Sequence, residues 1–146
     1  MEAHWLSRVY ALQAFAPHMR ATGAGSIVLV GTDAGRIATV GESMIGGATG
    51  GMMQMSRALA REFGREGVRI NVVSLSFVSD AIPRWQAGSA ALMDNHDGML
   101  QQLKKRMLFD VRCEDIAAAV AFFAGPGARA ITGQTLSVNG GLSTPG

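Results

Sequence analysis

Cysteine is almost missing from this chain. Cys113 stands alone among 146 residues, which excludes an internal disulfide framework and leaves no cysteine spacing suited to a metal. Histidine adds nothing to that, because His4, His18 and His96 share no spacing that would converge on an ion; no metal site is expected. Charge is scarce and nearly cancelled, with 13 basic against 11 acidic residues and a net charge of +2. Neither a basic face for nucleic acid nor an acidic tail follows from that balance. Long hydrophobic runs are also lacking: Gly, Arg or Glu interrupts each one well short of the roughly 20 residues that a membrane span requires. No signal peptide is recognisable, so a single domain in the reducing cytoplasm is the expectation, with no membrane and no nucleic-acid partner.

What is present is an alternation of helical and extended patterns. From Trp5 to about Arg20, Leu6, Val9, Tyr10, Leu12, Phe15 and Met19 recur near the helical period, with Pro17 expected to kink or shorten the last turn. Thr22-Gly23-Ala24-Gly25 is turn chemistry, and Ser26 to Gly31 is a continuous β-branched run of the kind buried on both faces of a parallel sheet. Thr32 to Ser43 is a small-residue loop. A second helix runs from about Met44 to Phe63, stopped by Gly64 and Gly67, and Val68 to Ser74 is a second strand. Leu75 to Val111, with Pro83 and Trp85, shows no decodable pattern. Cys113-Glu114-Asp115 opens a third helix reaching about Ala124, and Gly133 to Asn139 forms a third strand before Gly140-Gly141.

The order α-β-α-β-α-β builds a parallel sheet through right-handed crossovers, so the expected class is α/β, a Rossmann-like doubly wound sheet of which only the C-terminal half is present. An apolar first strand wants a neighbour on each side. The chain offers few candidates for that outer place, so the edge must be covered from elsewhere or stay open.

Several segments together carry a family likeness: Pro17-His18-Met19, Gly25-Ser26-Ile27-Val28, Ser56 to Phe63, Val68-Arg69-Ile70-Asn71-Val72-Val73, Glu114-Asp115-Ile116, and Ile131 through Thr132-Gly133-Gln134-Thr135-Leu136-Ser137-Val138-Asn139-Gly140-Gly141. Their sequence and spacing resemble the second half of a short-chain dehydrogenase/reductase. That resemblance implies an oxidoreductase using NAD or NADP, and places the family's site residues. Its serine falls on Thr32, its tyrosine on Ile45, its lysine on Thr49 and its helix-one asparagine on His4. The turn that approaches the nicotinamide falls on Leu75, Ser76 and Asp80.

Those assignments set the scaffold against the chemistry. Reduction of a carbonyl needs a proton delivered to the developing alkoxide, and the family's tyrosine can supply it because an adjacent ammonium and the oxidised nicotinamide stabilise its phenolate. Ile45 has no proton to give. Thr49 has no charge with which to tune one, and only Thr32 keeps a hydroxyl. Positioned acid and base groups contribute roughly 10²–10⁴-fold, so the expectation is a catalytically impaired homologue; Tyr10 and Lys104 are the substitutes to look for. NAD or NADP binding is placed in doubt as well, since the glycine-rich strand-turn-helix fingerprint is absent. Gly46-Gly47-Ala48-Thr49-Gly50-Gly51 imitates it but falls inside a helix, where close packing is the simpler use.

The remaining features divide between loop, surface and interface. Asp33, Glu42 and Ser43 offer a second acid-base set beside Thr32, with loop capping the plainer alternative. Lys104-Lys105-Arg106 reads as a solvated helix face. Met44, Met52, Met53 and Met55 lie with glycines on the second helix, and the adjacency of Met52 and Met53 points one of them away from the local core. The resemblance makes the segments 5–20 and 44–63 the expected surface of a homo- or hetero-oligomer. Three functional classes stay open: a non-catalytic subunit of a dehydrogenase assembly, an active oxidoreductase whose first half is missing, or a truncated fragment without function.

Overall fold

The computed structural model describes residues 2–81 and 96–145. A π-helical turn at Glu2–Leu6 leads into α1 (Ser7–Thr22), followed by β1 (Gly25–Thr32), α2 (Ser43–Phe63), β2 (Val68–Leu75), α3 (His96–Arg106), α4 (Cys113–Ala124) and β3 (Thr135–Val138). The strands form one parallel sheet in the order β1-β2-β3. β1 is in register with β2 from Gly25 opposite Val68 to Thr32 opposite Leu75. The class is α/β and Rossmann-like, as the alternation predicts, with one helix more than the pattern shows. That helix is α3, which ends in the exposed Lys104, Lys105 and Arg106; Pro83, Trp85 and the side chain of His96 lie outside the described residues.

Alternation along the central strand distributes the core between two layers. Val68, Ile70 and Val72 turn toward α1 and α2, where they meet Leu12, Ala16, Met52, Met53, Ala60 and Phe63. Val73 turns the other way, onto Phe123 of α4 and Ala128. β2 is therefore the strand buried on both faces, as a parallel strand between two helical layers must be. β1 is not: it pairs only with β2 among the described residues, most of its positions are half-buried, and Val30 is exposed. Its β-branched run signals strand correctly, but its place at the edge is fixed by topology. Arg8 reaches from α1 to donate to the Val30 carbonyl at 3.0 Å, giving one backbone acceptor of this edge strand a partner.

Two further expectations are corrected. α1 continues through Pro17 to Thr22, ending at Gly23, whose φ of 68° lets its N–H turn back to the Arg20 carbonyl. Met52 and Met53 are both buried within this chain. α2 lies between the sheet and the N-terminal turn: Met52 reaches toward Gly31, Gly51 lies beneath the Trp5 ring, and Met53 joins the cluster of Leu12, Leu29 and Ile70. Adjacent side chains about 100° apart thus both find neighbours, and of these methionines it is Met44 that faces out.

Candidate functional site

Ligands of open α/β sheets bind beyond the carboxyl ends of the strands, so the relevant region here is where Thr32, Leu75 and Val138 end their strands. Thr32 closes β1 and caps the short 3₁₀ turn Asp33–Gly35, its hydroxyl accepting from the Ala34 N–H at 3.3 Å. The same hydroxyl donates to Glu42 Oε2 at 3.3 Å. Glycines in α2 let the helix settle directly on this turn. A Cβ on Gly46 would stand 2.6 Å from the Ala34 carbonyl oxygen, and one on Gly50 would stand 2.9 Å from that of Gly35. The glycine run is thus close packing within a helix and not a phosphate loop.

That docking brings Thr49 against the end of β1. Thr49 is buried and its methyl covers Gly31, where an added Cβ would lie 2.5 Å away. Ile45, one helical turn earlier, is 37% exposed. Neither side chain carries an ionisable group. Tyr10 is exposed on α1 and Lys104 on α3, and neither enters the hydrogen bonds of the Thr32 hydroxyl. His4 and His18 are exposed.

Asp33 is the charged group of this region that sequence reasoning undervalued. It is neither a loop cap nor an open acid-base group but a carboxylate only 3% exposed, lodged among the three strand ends. Oδ1 accepts from Ser74 at 2.6 Å and Ser137 at 2.5 Å, and Oδ2 accepts from Asn139 Nδ2 at 2.6 Å, with Ser76 and Ser143 each at 3.3 Å. Arg36 stands 3.5 Å from Oδ1. Burial pushes the Asp33 carboxyl up, but the hydrogen bonds from Ser137, Ser74 and Asn139 and the Arg36 charge outweigh it and hold the group below its ordinary value. The serine and asparagine positions at the ends of β2 and β3 were the available signal, legible only once those strands are adjacent.

The positions assigned to the nicotinamide are engaged internally. Ser76 donates to Asp33. Asp80 lies in the 3₁₀ turn Ser79–Ala81 and accepts from the Cys113 N–H at 3.0 Å, so that it anchors the start of α4. Its contacts with Cys113, side chain and backbone, keep the carboxyl ionised below its ordinary range, and a carboxylate there offers an acceptor and a negative charge. Leu75 offers no polar group. Among the described residues, the polar side chains at these positions, Ser76 and Asp80, are thus engaged within the chain. Among the described residues no cluster of three His, Cys, Asp or Glu is placed to hold a metal, and no helix is long and apolar enough to cross a membrane.

The parallel sheet, its two helical layers and the strand-end loop define a Rossmann-type domain. Comparison narrows this further. The family described as enoyl-(acyl carrier protein) reductase matches residues 1–143. The chain is 35% identical over 118 residues to 3-oxoacyl-(acyl-carrier-protein) reductase of Salmonella typhimurium, covering 81% of this chain and 46% of that protein. It is 33% identical over 139 residues to 2,3-dihydroxy-2,3-dihydro-p-cumate dehydrogenase of Pseudomonas putida, covering 95% and 50%. A short-chain dehydrogenase/reductase family oxidoreductase from Burkholderia thailandensis superposes with a TM-score of 0.82 at 34% identity, over 97% of this chain and 53% of that one. An actinorhodin polyketide ketoreductase with NADPH gives 0.76 at 26% identity, over 94% and 54%. The chain belongs to the short-chain dehydrogenase/reductase family and spans about half the length of the curated relatives it matches.

Proposed function

We propose that this chain is a catalytically impaired member of its family, acting as a non-catalytic subunit of a dehydrogenase assembly. The observation that carries the reading is the pair on α2. Where the family's proton donor and its tuning cation are expected, Ile45 is an aliphatic side chain and Thr49 a neutral one packed on Gly31. The one hydroxyl kept from the family's set, Thr32, is held by Glu42. An alkoxide forming beside Thr32 would meet a hydroxyl already committed to a carboxylate, and neither Ile45 nor Thr49 could supply the proton.

The partner surface we propose is that of residues 5–20 and 44–63. Tyr10 and Phe15 on α1 are 59% and 64% exposed, and Met44 at the start of α2 is 66% exposed; aromatic and thioether side chains of this kind favour protein interfaces. The edge of β1, which has no strand partner other than β2 among the described residues, adds a second place where another polypeptide would pair.

Retention of Thr32 favours a second reading, an NAD- or NADP-dependent oxidoreductase completed by a missing first half and an unconventional acid. Titrating the purified chain with NADH and NADPH, then adding ketone substrates, separates the two. The impaired-subunit reading expects neither saturable binding nor turnover, together with co-purification with a full-length dehydrogenase. Saturable binding accompanied by turnover would overturn it.

A further inference from the structure

On the side of Arg36 away from this chemistry lies a cavity of about 570 Å³ bounded by the end of the 33–36 turn, the last turns of α2 and the segment entering β3. Three guanidinium groups, Arg36, Arg57 and Arg61, line it together with Thr132, Gln134 and Thr135, and no carboxylate is among its lining residues. Two of the lining residues each carry a polar atom buried without a hydrogen-bond partner, Arg36 Nε and Thr135 Oγ1. A buried donor left unsatisfied costs free energy, so such atoms mark a place where a ligand or water is due.

The Thr132 and Gln134 groups of the wall are already engaged. Thr132 Oγ1 accepts from the Ile70 N–H, the Gln134 N–H donates to Asn71, and Gln134 Nε2 donates to the Thr132 carbonyl. Arg36 Nη2 is bound to Ser137 and lies against Asp33, which fixes the guanidinium and partly neutralises it. Arg57 donates to the neutral Gln54 at 3.3 Å, and no carboxylate pairs with Arg57 or Arg61 among the described residues. The wall thus presents uncompensated positive charge plus two spare hydrogen-bonding atoms, the donor set that planar guanidinium forks and a hydroxyl offer to a tetrahedral oxyanion.

We infer that this cavity is a phosphate-binding site for a phosphorylated small molecule. Arg36 Nε and the Thr135 hydroxyl meet the phosphate oxygens from the wall, and Arg57 and Arg61 close on it from α2. The volume falls within the range of small-molecule sites and exceeds what one inorganic ion fills, which leaves room for the organic part of a phosphomonoester. The site shares no residue with the Thr32, Ile45 and Thr49 set, so it stands whether or not the chain takes part in hydride transfer.

Isothermal titration of the full chain with inorganic phosphate, glycerol phosphate and acetate tests this. Saturable binding of either phosphate is expected at a Kd of roughly 1 mM or tighter, with acetate weaker. Binding of glycerol phosphate in preference to inorganic phosphate identifies the esterified ligand, and the reverse order overturns that part of the assignment. Arg57→Gln and Arg61→Gln replace exposed side chains and should each weaken phosphate about tenfold while leaving the circular dichroism spectrum unchanged. Thr135→Val removes the unpartnered hydroxyl: the variant should melt no lower than the parent without phosphate, yet gain less from its addition. Failure of phosphate to bind, or equal binding in the parent and all three variants, overturns the proposal.

Discussion

Replacing Asp33 by Asn tests whether one carboxylate ties the three strand ends together. The substitution keeps shape and volume but turns one oxygen into a donor. If the amide oxygen stays with Ser74 and Ser137, the new amide nitrogen faces Asn139 Nδ2, which now lies 2.6 Å from Oδ2. Asn139 cannot simply rotate its amide, because its own Oδ1 accepts from the Gly141 N–H at 3.0 Å. A hydrogen bond to a charged group contributes about 1.5–3 kcal/mol, and removing one partner of a buried charge pair costs about 3–5 kcal/mol. The serine hydroxyls can turn to accept, which recovers part of this, so Asp33→Asn should cost about 3 kcal/mol at neutral pH. For a chain of this length that lowers the melting temperature by roughly 6–12 °C.

The pH dependence carries the sharper signature. Because the folded carboxyl lies below its ordinary 3.8, the unfolded chain binds more protons in acid, and the stabilisation is complete above the unfolded value. It is lost as pH falls through the depressed folded one. Urea titrations of parent and variant at pH 7, 5 and 3 should show a constant gap at the first two values and a narrower gap at the third. A gap below about 0.5 kcal/mol at pH 7, or one that does not change in acid, would refute the assignment of Asp33 as an ionised tie.

Three other perturbations follow from the packing and the proposed interface. Gly31→Ala places a methyl 2.5 Å from Thr49 Cγ2 and 2.7 Å from Met52 Cε, and overpacking of this kind should cost about 1–3 kcal/mol by urea denaturation. Adding Thr49→Ser removes the opposing methyl, so the double variant should be less destabilised than the two singles summed; strict additivity would count against the contact. Gly67→Ala puts a side chain on a residue with φ of 74° and drives it into the Gly23 carbonyl, so a loss above about 1–2 kcal/mol is expected, and a melting temperature within error of the parent would contradict it. Phe15→Asp together with Tyr10→Ser should convert any oligomer to monomer by light scattering while leaving the melting curve of the monomer in place, and an unchanged mass would remove these side chains from the interface.

How far the sequence could be read depends on whether a signal is local. The runs 26–31 and 68–74 announce strands because β-branched residues repeat without interruption, and the period of 44–63 announces α2. Which strand is central is a pairing fact: an apolar β1 calls for a neighbour on each side, yet among the described residues it pairs only with β2, which holds the centre. Met52 and Met53 misled for a related reason: adjacency on a helix gives two directions, but only the tertiary arrangement says that both meet the same chain. The assignments of Thr32, Ile45 and Thr49 rest on spacing along a familiar pattern, which is a local signal. Asp33 and the arginine-lined cavity are not legible in this way, because their residues are drawn from positions 33 to 145 and converge only after the strands are aligned.

That convergence gives the strand ends a different character from a substrate crevice. In a doubly wound sheet the carboxyl edge is open because each strand stops with polar groups that seek a partner, and a bound ligand ordinarily supplies it. Here Asp33 supplies it from within, drawing Ser74, Ser76, Ser137, Asn139 and Ser143 onto one carboxylate. Thr32 is turned to Glu42 and Asp80 to α4 in the same manner. A group satisfied by its own fold must give up that contact before it can meet a ligand, which raises the free energy of the bound state. Arg36 marks the boundary of this inward-turned region. Its Nη2 belongs to the Asp33 network and its Nε is left over, so the unspent hydrogen-bonding capacity of the strand ends lies on the phosphate-binding side.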